Sequence, residues 1–582
     1  MATRLHWPKQ ATLEAATVAV GALAFGLLFS IPLLEHLTEA FFSADWDFCR
    51  DHDWTDLYIV THFHQFPLWS PYQCGGMEVL GSPQSRILSP FFLLHLIAGS
   101  TVGLHLEVPL HLAIAWAGGY VLGRSLHLRP LASIACATVF PSSSWFYLHL
   151  GAGHLDFISF AYTPWTIAFT LLAIERKRIG WAAAAASTLA LAIFEGGIHP
   201  TAETAIFVIM LTAILAVMGR DRWPLMVLAA AGLFTIGFAA VKLVPACFLS
   251  MQFTRPTGST EYLSLSGYAT SLFSRNQYWS GSLLWLDTGS MSIVECGAYL
   301  SLPFLVAAAV GVWASPRRSL PWTMIALAFL LLGMGSYFGP VSPWVLLHPL
   351  PVFSWLRISP RFFIMLPLCL GVLAGLGIEF MQGGRSGFGT AIAVCLLAAG
   401  AVDCWLIGPR NLVIHLTGPE ESLPTAPVFR QFEDPDQQMF RVNLANMGIS
   451  NCYPGLLAAT GKVAASNRPG YRGEEYLLGP GSLSLAHWTP QILDYDVEVK
   501  SATVMVVNQN YDYSWKLAKG RGEVFSYNGL LAVRLPPGTQ RIRLRYSRYQ
   551  FIAGLAISLV TVLVALVSVA SSAIEPVAQS LW

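Results

Sequence analysis

Residues 43–90 read SADWDFCRDHDWTDLYIVTHFHQFPLWSPYQCGGMEVLGSPQSRILSP, and the interpretation of the whole chain starts from this polar stretch. It follows directly after the first long apolar run. Its acidic and histidine residues are Asp45, Asp47, Asp51, His52, Asp53, Asp56, His62, His64 and Glu78. An acidic, turn-rich loop beside an apolar run has the ingredients of a functional site. A hydrated loop with Asp caps on short helices has the same composition.

Composition places the chain among membrane proteins. Of its 582 residues, 54% are hydrophobic and only 12% are charged, and the mean hydropathy is +0.54. Soluble domains carry about 25% charged residues, and many runs here approach the roughly 20 apolar residues needed to cross a bilayer. We therefore predict a polytopic α-helical membrane protein. The net charge of +1 argues against a nucleic-acid partner.

The apolar segments and the basic residues between them predict about twelve transmembrane helices. Basic residues recur near segment ends at 4–9, 124–129, 176–178, 220–222, 317–318 and 385, and the positive-inside rule places these ends in the cytoplasm. The predicted segments are 11–34, 104–123, 131–148, 158–174, 181–194, 201–218, 224–248, 296–314, 320–338, 361–381, 388–407 and 549–572. Both termini then lie inside and the acidic loop outside, as in a multi-pass protein of the bacterial inner membrane. The apolar run at 88–100 is too short to cross and predicts a re-entrant or interfacial helix.

The sequence pattern changes after residue 407. Residues 408–548 lack apolar runs of spanning length, and alternating segments appear at Val497–Val507, Gly522–Leu535 and Arg541–Tyr546. This pattern predicts a small β-rich domain, a sandwich, on the outer face. We accordingly divide the chain into a transmembrane module at 1–407, the β-rich domain at 408–548, and a last helix with a cytoplasmic tail at 549–582.

Asp45 and Asp47 are the first acids beyond the first span, with Trp46 between them. A carboxylate held at the membrane surface can act as a general base toward a hydroxyl, which typically contributes about 10²–10⁴-fold to a rate. A neighbouring carboxylate raises one pKa of the pair and so favours a base that works near neutral pH. Trp46 is expected to seat at the membrane interface. Two solvated loop acids are the simpler alternative.

The run Ser359-Pro360-Arg361 is typical of a helix start, with Ser at the N-cap and Pro at N1. Arg357 lies just before it. Free backbone N–H groups, the helix dipole and two guanidinium groups would favour an anion, above all a phosphate. Two arginines that extend to lipid head groups are the alternative.

Several other polar residues are placed at the ends of apolar segments. Glu195 and His199 flank a Gly-Gly pair, and His154 lies on another short loop, so these three are candidates to line a common cavity. Lys242 lies within an apolar span, where it is expected to pair with a substrate phosphate or with a glutamate such as Glu295. The ligands are too few for a metal site to be predicted.

Nine cysteines follow no metal-binding spacing. Most lie in or near apolar runs and are expected to be packing residues. Cys49 and Cys74 share the acidic loop and can form a disulfide if that loop faces an oxidising compartment.

Five ordered segments carry a resemblance to a known family. They are FPLWSPYQCGGMEVLGSPQSR at 66–86, GHLDFISFAYTPW at 153–165, GGIHPTAE at 196–203, WLRISPRFFIMLPLCLGVLAGLGIE at 355–379, and YDYSWKLAKGRGEVFSYNGLLAVRLPPGTQRIRLRYS at 511–547. Together they resemble the ordered motifs of YfhO-like bacterial membrane proteins. That family in turn resembles the GT-C superfamily of multi-spanning glycosyltransferases, which take sugars from polyprenyl-phosphate carriers on the outer face.

The resemblance implies an inverting glycosyltransferase that moves a sugar from a polyprenyl-phosphate donor to an envelope glycan, lipid or protein. It implies Asp45 as base with Asp47 as the alternative, and Arg361 with Arg357 at the carrier phosphate. To these we add Lys242 as a further candidate at the donor phosphate and predict a cavity lined also by other residues. These are Trp46, Trp69, Tyr72, Arg86, His154, Glu195 and His199. Relatives differ in whether they use a divalent metal such as Mg²⁺ or Mn²⁺, so the resemblance leaves that open.

This chain departs from the family pattern at three points: Ser70 stands where Asn is usual, Glu78 where Pro is common, and His199 follows Gly-Ile rather than Gly directly. These differences bear on the roles of single residues. A lipid or glycan transporter, or a non-catalytic envelope scaffold, is the alternative class. A transporter would show polar residues at the bilayer midplane and matched broken helices in two halves, whereas the polar residues here cluster at the ends of spans.

Overall fold

The computed structural model describes residues 9–41, 44–252, 260–278, 292–350, 353–383, 387–416, 418, 423–436, 438–451 and 461–579. Helices dominate them up to residue 407. The α-helices are α1 Lys9–Leu28, α2 Ile31–Leu34, α3 Ala44–Phe63, α4 Phe92–Ala98, α5 Ser100–Ser125, α6 Pro130–Ser142, α7 Ser144–Ala152, α8 Thr163–Arg176, α9 Ile179–Phe194, α10 Ile198–Gly219, α11 Trp223–Phe238, α12 Ala240–Gln252, α13 Leu265–Phe273, α14 Ile293–Cys296, α15 Leu302–Ala314, α16 Pro316–Gly333, α17 Pro343–Leu347, α18 Met365–Gln382, α19 Gly387–Ile407, α20 Met439–Leu444 and α21 Tyr549–Gln579. Short 3₁₀ helices occur at Leu155–Tyr162, Gly339–Val341, Phe353–Trp355, Ser359–Ile364 and Pro409–Val413.

The helices lie where the sequence predicts membrane spans, and each of the twelve predicted segments contains one. Among the described residues, seven helices are individually long and apolar enough to cross a membrane, and the bent pair α11–α12 adds an eighth. Three shorter apolar helices, Thr12–Leu28, Ile179–Phe194 and Leu302–Ala314, pack among them. The prediction of a polytopic helical membrane protein with a β-rich region near its C-terminus is confirmed. The α4 helix has only 7 residues, about 10 Å, which is too short to cross.

Basic residues between the spans gather at one end of the helical bundle. Arg318 donates to the carbonyl of Leu126 at 2.7 Å, and Arg129 donates to the carbonyl of Gln382 at 3.1 Å. These contacts join three connections that were predicted to share the cytoplasmic side. Asp45, His154 and Arg361, which the structure brings together, lie at the other ends of these spans.

The segment 44–90, which we call the long loop, is more regular than predicted. Its first half is the 20-residue helix α3, and its second half holds the small hairpin of β1 (Trp69–Ser70) and β2 (Met77–Glu78). Hydropathy does not show α3, because its residues pack against neighbours on several sides and no single apolar stripe results. Asp45 and Asp47 lie in its first turn, where acids favour a helix start.

The C-terminal part forms a β-sandwich, as predicted. A separate parallel pair, β3 Arg430–Phe432 and β4 Met447–Ile449, precedes it. The eight strands of the sandwich are β5 Glu475–Leu477, β6 Gly481–Thr489, β7 Ile492–Val499, β8 Thr503–Asn510, β9 Trp515–Lys519, β10 Glu523–Tyr527, β11 Leu530–Leu535 and β12 Gly538–Tyr546. Two four-stranded sheets, in the orders β10-β11-β8-β5 and β6-β7-β12-β9, face each other across one apolar core. The predicted Asn528-Gly529 turn joins β10 and β11, with both residues at positive φ.

The long loop inserts into the core of this sandwich. Leu68, Trp69, Leu80 and Ile87 belong to the same apolar cluster as the inward-facing residues of β7, β8, β11 and β12. The Trp69 indole N–H donates to the side chain of Gln509 at 3.1 Å. The sandwich and the loop therefore share one core, and the loop is held in place by residues more than 400 positions later in the chain.

Candidate functional site

The N-terminus of α3 places Asp45 against the loop that follows α7. Trp46 is 2% exposed, stacks on Phe41 with ring centroids 3.9 Å apart, and donates its indole N–H to the carbonyl of Gly151 at 3.0 Å. It is a buried anchor and does not seat at a membrane interface as predicted. By fixing the first turn of α3, Trp46 directs the neighbouring Asp45 carboxylate toward the α7 loop.

Gly153 allows this close approach. Its φ is +96°, and a Cβ on this residue would lie 2.5 Å from the backbone nitrogen of Trp46, so both the conformation and the space require glycine. The next residue, His154, holds its Nε2 at 3.1 Å from an Asp45 carboxylate oxygen. Its Nδ1 lies 2.7 Å from the Nδ1 of His149. Asp45 is 33% exposed on its side chain, so a small molecule can reach it.

Arg361 supplies the positive charge of the site. Its Nε and Nη2 donate to the two carboxylate oxygens of Glu295 at 2.9 and 3.0 Å, a bidentate pair. The guanidinium also lies 4.9 Å from the ring centre of Phe157, and its Nη1 is 3.4 Å from the Nε2 of His199. Burial alone would raise the pKa of Glu295, but Arg361 and His154 lower it to about 2. Glu295 is therefore ionised at any physiological pH.

The backbone before Arg361 differs from the predicted helix start. Residues Ser359–Ile364 form a 3₁₀ helix, the preceding residue Ile358 has a φ of +61°, and no side chain caps the turn. The α-helix begins only at Met365. An N-cap by Ser359 with a phosphate on free N–H groups is thus not formed here, and the guanidinium groups remain as the anion-binding element.

Asp45, His154 and Arg361 line one cavity of about 80 Å³ between the long loop and the membrane helices. Its polar lining residues are Asp45, Gln84, His154, Asp156, His199, Arg357 and Arg361. We call Asp45, His154, His199, Arg357 and Arg361, together with Glu295 that pairs with Arg361, the cavity cluster. It combines an accessible carboxylate with two arginines at the membrane-facing end of the loop. Asp156 and Glu295 were not among the predicted site residues; an acid two positions after His154 was the available signal for Asp156.

Asp47 points away from this cavity. Its carboxylate accepts the backbone N–H of Met439 at 2.6 Å and that of Phe440 at 3.2 Å, so it caps the start of α20. Burial raises its pKa to about 6 in spite of these bonds. Asp47 was predicted to tune or replace Asp45. In the structure the Asp47 carboxylate binds the backbone of α20, whereas the Asp45 carboxylate contacts His154.

Lys242 is bonded to backbone rather than to an anion. Its Nζ donates to the carbonyls of Pro83, Ser85 and Ile193 at 3.0, 2.6 and 2.8 Å. Three carbonyl partners satisfy its three N–H donors. Lys242 thus ties the end of the long loop to α9, and it lies outside the residues that line the cavity.

Arg86 and Glu195 belong to a second group of charged residues, which we call the closed cluster. Its members are Asp53, Arg86, His95, Glu107, His111 and Glu195. Arg86 contacts Asp53 at 3.3 Å and forms a short contact with Glu107. Glu195 accepts from His111 at 2.8 Å and from the hydroxyl of Tyr162 at 2.7 Å. Each of the six side chains is at most 7% exposed, and none lines the cavity around Asp45.

Trp69 and Tyr72, also predicted to line the cavity, pack elsewhere. Trp69 lies in the sandwich core, as described above. Tyr72 is fully buried and donates its hydroxyl to Asn446 at 3.1 Å. Both join the long loop to the C-terminal region, and their aromatic rings serve that packing.

The two loop cysteines do not pair with each other. Cys49 is a free thiol that donates to the carbonyl of Gly153 at 3.2 Å, whereas Cys74 is disulfide-bonded. Cys49 thus adds a second contact between α3 and the Gly153 loop beside Asp45.

Two sets of potential metal ligands converge among the described residues. One is His149, His154 and Glu295, and the other is Glu107, His111 and Glu195. Mg²⁺ and Mn²⁺ favour oxygen ligands. The first set offers two imidazoles and a carboxylate already held by Arg361, and the second has Arg86 on one of its two carboxylates. In each set, a carboxylate that could bind a cation is therefore already paired with an arginine.

No protein-family model matches the chain, and no curated protein matches it either. Among solved structures it is similar to an oligosaccharyltransferase from Archaeoglobus fulgidus, with 12% identity over 75% of this chain and 64% of that chain and a TM-score of 0.43. It is also similar to the arabinofuranosyltransferase AftD from Mycobacteria, with 16% identity, 69% and 27% coverage and a TM-score of 0.43. A third is ArnT from Cupriavidus metallidurans bound to undecaprenyl phosphate, with 13% identity, 70% and 76% coverage and a TM-score of 0.36.

The first two of these neighbours are named as an oligosaccharyltransferase and an arabinofuranosyltransferase. The present chain spans about 64% of the length of the archaeal enzyme. Membership of the YfhO-like family stays a prediction from the five sequence segments.

Proposed function

We propose that this chain is a membrane glycosyltransferase that moves a sugar from a polyprenyl-phosphate carrier to a hydroxyl acceptor of the cell envelope, with inversion at the anomeric carbon. The observation that carries the proposal is the cavity cluster. It places an accessible carboxylate with a histidine on one side and two arginines on the other, next to helices that cross the membrane. We further propose that the cavity opens to the exterior of the bacterial inner membrane.

In the proposed reaction, Asp45 accepts the proton of the acceptor hydroxyl as its oxygen attacks the anomeric carbon. The bond between that carbon and the phosphate oxygen breaks, and the carrier leaves with both electrons as a phosphate. Arg357 and Arg361 neutralise the charge on the leaving phosphate. His154 holds the Asp45 carboxylate in position through its 3.1 Å contact. The step balances without a metal.

Arg361 is already bound to Glu295, which restricts how a phosphate can bind. Glu295 takes the Nε–H and one N–H of Nη2, so a phosphate can approach through the remaining N–H groups of Nη1 and Nη2, through Arg357, or by displacing the carboxylate. Arg357 is exposed and lines the same cavity. We therefore assign the first contact with the donor phosphate to Arg357 and the closer contact to Arg361.

The decisive experiment measures transfer of a labelled sugar from polyprenyl phosphate by the purified protein. Asp45→Asn keeps the size of the side chain but removes its ability to accept a proton, so we expect a loss of about 10²–10⁴-fold in rate at unchanged thermal stability. Asp47→Asn lies on the same helix, caps α20, and is the matched control.

Near-wild-type transfer by Asp45→Asn would overturn the assignment of the base, and a scaffold would give no transfer by any variant. A transporter would move the carrier or glycan across vesicles without forming a new glycosidic bond. The assay therefore separates the three classes.

A further inference from the structure

A large cavity lies far from Asp45, where the end of α3 meets the C-terminal region. It measures about 620 Å³, within the range of about 300–1,000 Å³ typical of ligand sites. Its aromatic lining residues are Tyr58, His62, Phe63, Phe429, Tyr471 and Trp488. We call it the aromatic cleft. Asp45 and His62 are at opposite ends of α3, roughly 26 Å apart along its axis.

One wall of the aromatic cleft comes from α3. Trp54, Tyr58 and His62 follow one another every four residues, and their rings stack in sequence with centroids 4.8 Å apart and planes 10° apart. Phe63 meets the edge of Trp488 at 5.6 Å. Because the stacked rings cover one another's faces, this wall presents the fixed edges of Tyr58 and His62 to the cleft.

The facing wall comes from β6 and from the chain before β3. Trp488 stacks on the buried ring of Phe429 with centroids 4.8 Å apart and planes 22° apart. Phe429 in turn packs edge-on against Tyr72 at 5.2 Å. The stacking on Phe429 fixes the orientation of the partly exposed Trp488 indole. Little side-chain entropy would therefore be lost when a ligand binds to it.

Polar groups are placed at intervals along the cleft. Glu474 accepts from the Tyr471 hydroxyl at 2.8 Å, from the Gln431 backbone N–H at 2.7 Å and from Asn508 at 3.3 Å. Asn446 and Arg430 also line it. Burial raises the pKa of Glu474 to about 7. The cleft therefore offers both hydrogen-bond donors and acceptors, with two carboxylates and one guanidinium.

We propose that the aromatic cleft binds an uncharged oligosaccharide. Sugar rings have an apolar C–H face and a hydroxyl edge that both donates and accepts hydrogen bonds. Such a ring matches the partly exposed indole of Trp488 and the aromatic edges of α3, which are bordered by amide, carboxylate and guanidinium groups. A lipid tail would place the Arg430 guanidinium and the carboxylate of Glu475, which also lines the cleft, against hydrocarbon, and Glu474 and Glu475 disfavour an anionic ligand. If the proposed glycosyl transfer holds, this oligosaccharide is the acceptor.

Direct binding tests the proposal independently of catalysis. Purified full-length protein would be titrated with linear oligosaccharides of glucose, mannose, galactose and N-acetylglucosamine, and tryptophan fluorescence recorded. We expect at least one to bind, and Trp488→Ala and Tyr58→Ala, on opposite walls, each to weaken binding roughly tenfold. Phe525→Ala is the matched control. Phe525 lies on β10, its ring packs under the guanidinium of Arg534, and it does not line the cleft.

Absence of binding by every oligosaccharide would overturn the proposal, as would binding that neither cleft variant weakens. Tighter binding of an extended peptide than of any sugar would assign the cleft to a protein ligand and also overturn it. Asp45→Asn should bind the oligosaccharide as the wild type does, so failure of the proposed catalysis would leave this result intact. In the transfer assay, Trp488→Ala should raise the acceptor KM and leave the donor KM unchanged.

Discussion

The cavity cluster and the closed cluster are built from the same parts and differ in access. Each contains an arginine paired with a carboxylate and a histidine close to an acid. In the cavity cluster Asp45 is 33% exposed and Glu295 is 19% exposed, while Glu107 and Glu195 in the closed cluster are fully buried. The presence of ion pairs therefore does not separate a functional site from a structural one. The two clusters differ in whether a small molecule can reach their charged groups.

The closed cluster has a structural explanation that needs no ligand. Glu107 and His111 lie on α5, which is apolar enough to cross a membrane, and Arg86 comes from the long loop. Charges at such a depth are costly unless they are paired. The cluster therefore holds the long loop on the helices, and the loop in turn holds Asp45 at the cavity.

The largest effect on stability is expected from breaking the closed cluster. Arg86→Met leaves Asp53 and Glu107 buried without their cation, which should destabilise the protein by about 3–5 kcal/mol or prevent its accumulation. Thermal unfolding of the purified protein measures this. Arg357→Met is the matched control, since Arg357 is exposed at the cavity and its loss should not change the unfolding temperature. An Arg86 variant that unfolds normally but fails to transfer sugar would place the closed cluster in the reaction.

A smaller effect, on activity alone, is expected in the cavity cluster. Arg361→Lys keeps the charge but loses the bidentate geometry toward Glu295, so the donor KM should rise roughly tenfold. Arg361→Ala should raise it further. The measurement is the initial transfer rate as a function of donor concentration. If the donor KM is unchanged in both variants, Arg361 does not bind the donor phosphate and only pairs with Glu295.

The smallest effect concerns Asp47, which connects α3 to α20 and belongs to neither cluster. Its pKa is about 6 in the folded protein against 3.8 ordinarily, so between these values the folded state holds a proton that the unfolded state has released. Stability of the wild type should therefore fall as pH rises from about 4 to about 6, relative to Asp47→Asn, and the difference should be constant at higher pH. Unfolding temperatures of both proteins across this range test the sign. A difference that does not change with pH would show that Asp47 is ionised throughout.

Much of the fold could be predicted because it depends on local patterns. Apolar runs of spanning length located the helices, and strict alternation with Asn528-Gly529 located the sandwich strands. The helix α3 escaped prediction because its buried residues face the membrane helices on one side and α20 on another, so its hydropathy shows neither a run nor a stripe. Hydropathy patterns therefore do not identify a helix that is packed against neighbours on several sides.

The site was predicted less completely because its contacts are long-range. Asp45 stood out by its position beside the first span, and Arg361 by its charge at a span end. Their partners, His154 and Glu295, are 109 and 66 residues away along the chain, and nothing in the sequence assigns Glu295 to Arg361 rather than to Lys242. Glu107 and His111 could have been predicted as part of a buried polar cluster. They lie four residues apart in an apolar span, where ionisable residues are rare and usually have a partner.

Because the long loop and the sandwich share one core, the long loop cannot finish folding until the sandwich strands have been synthesised. Trp69 and its partner Gln509 are 440 residues apart, and synthesis at about 5–20 residues per second separates them by roughly 20–90 s. During that interval Trp69 and Leu80 lack the strands that cover them. A ribosome that stops before β12 releases a chain whose exposed tryptophan distinguishes it from the finished protein, and quality-control proteases can act on that difference.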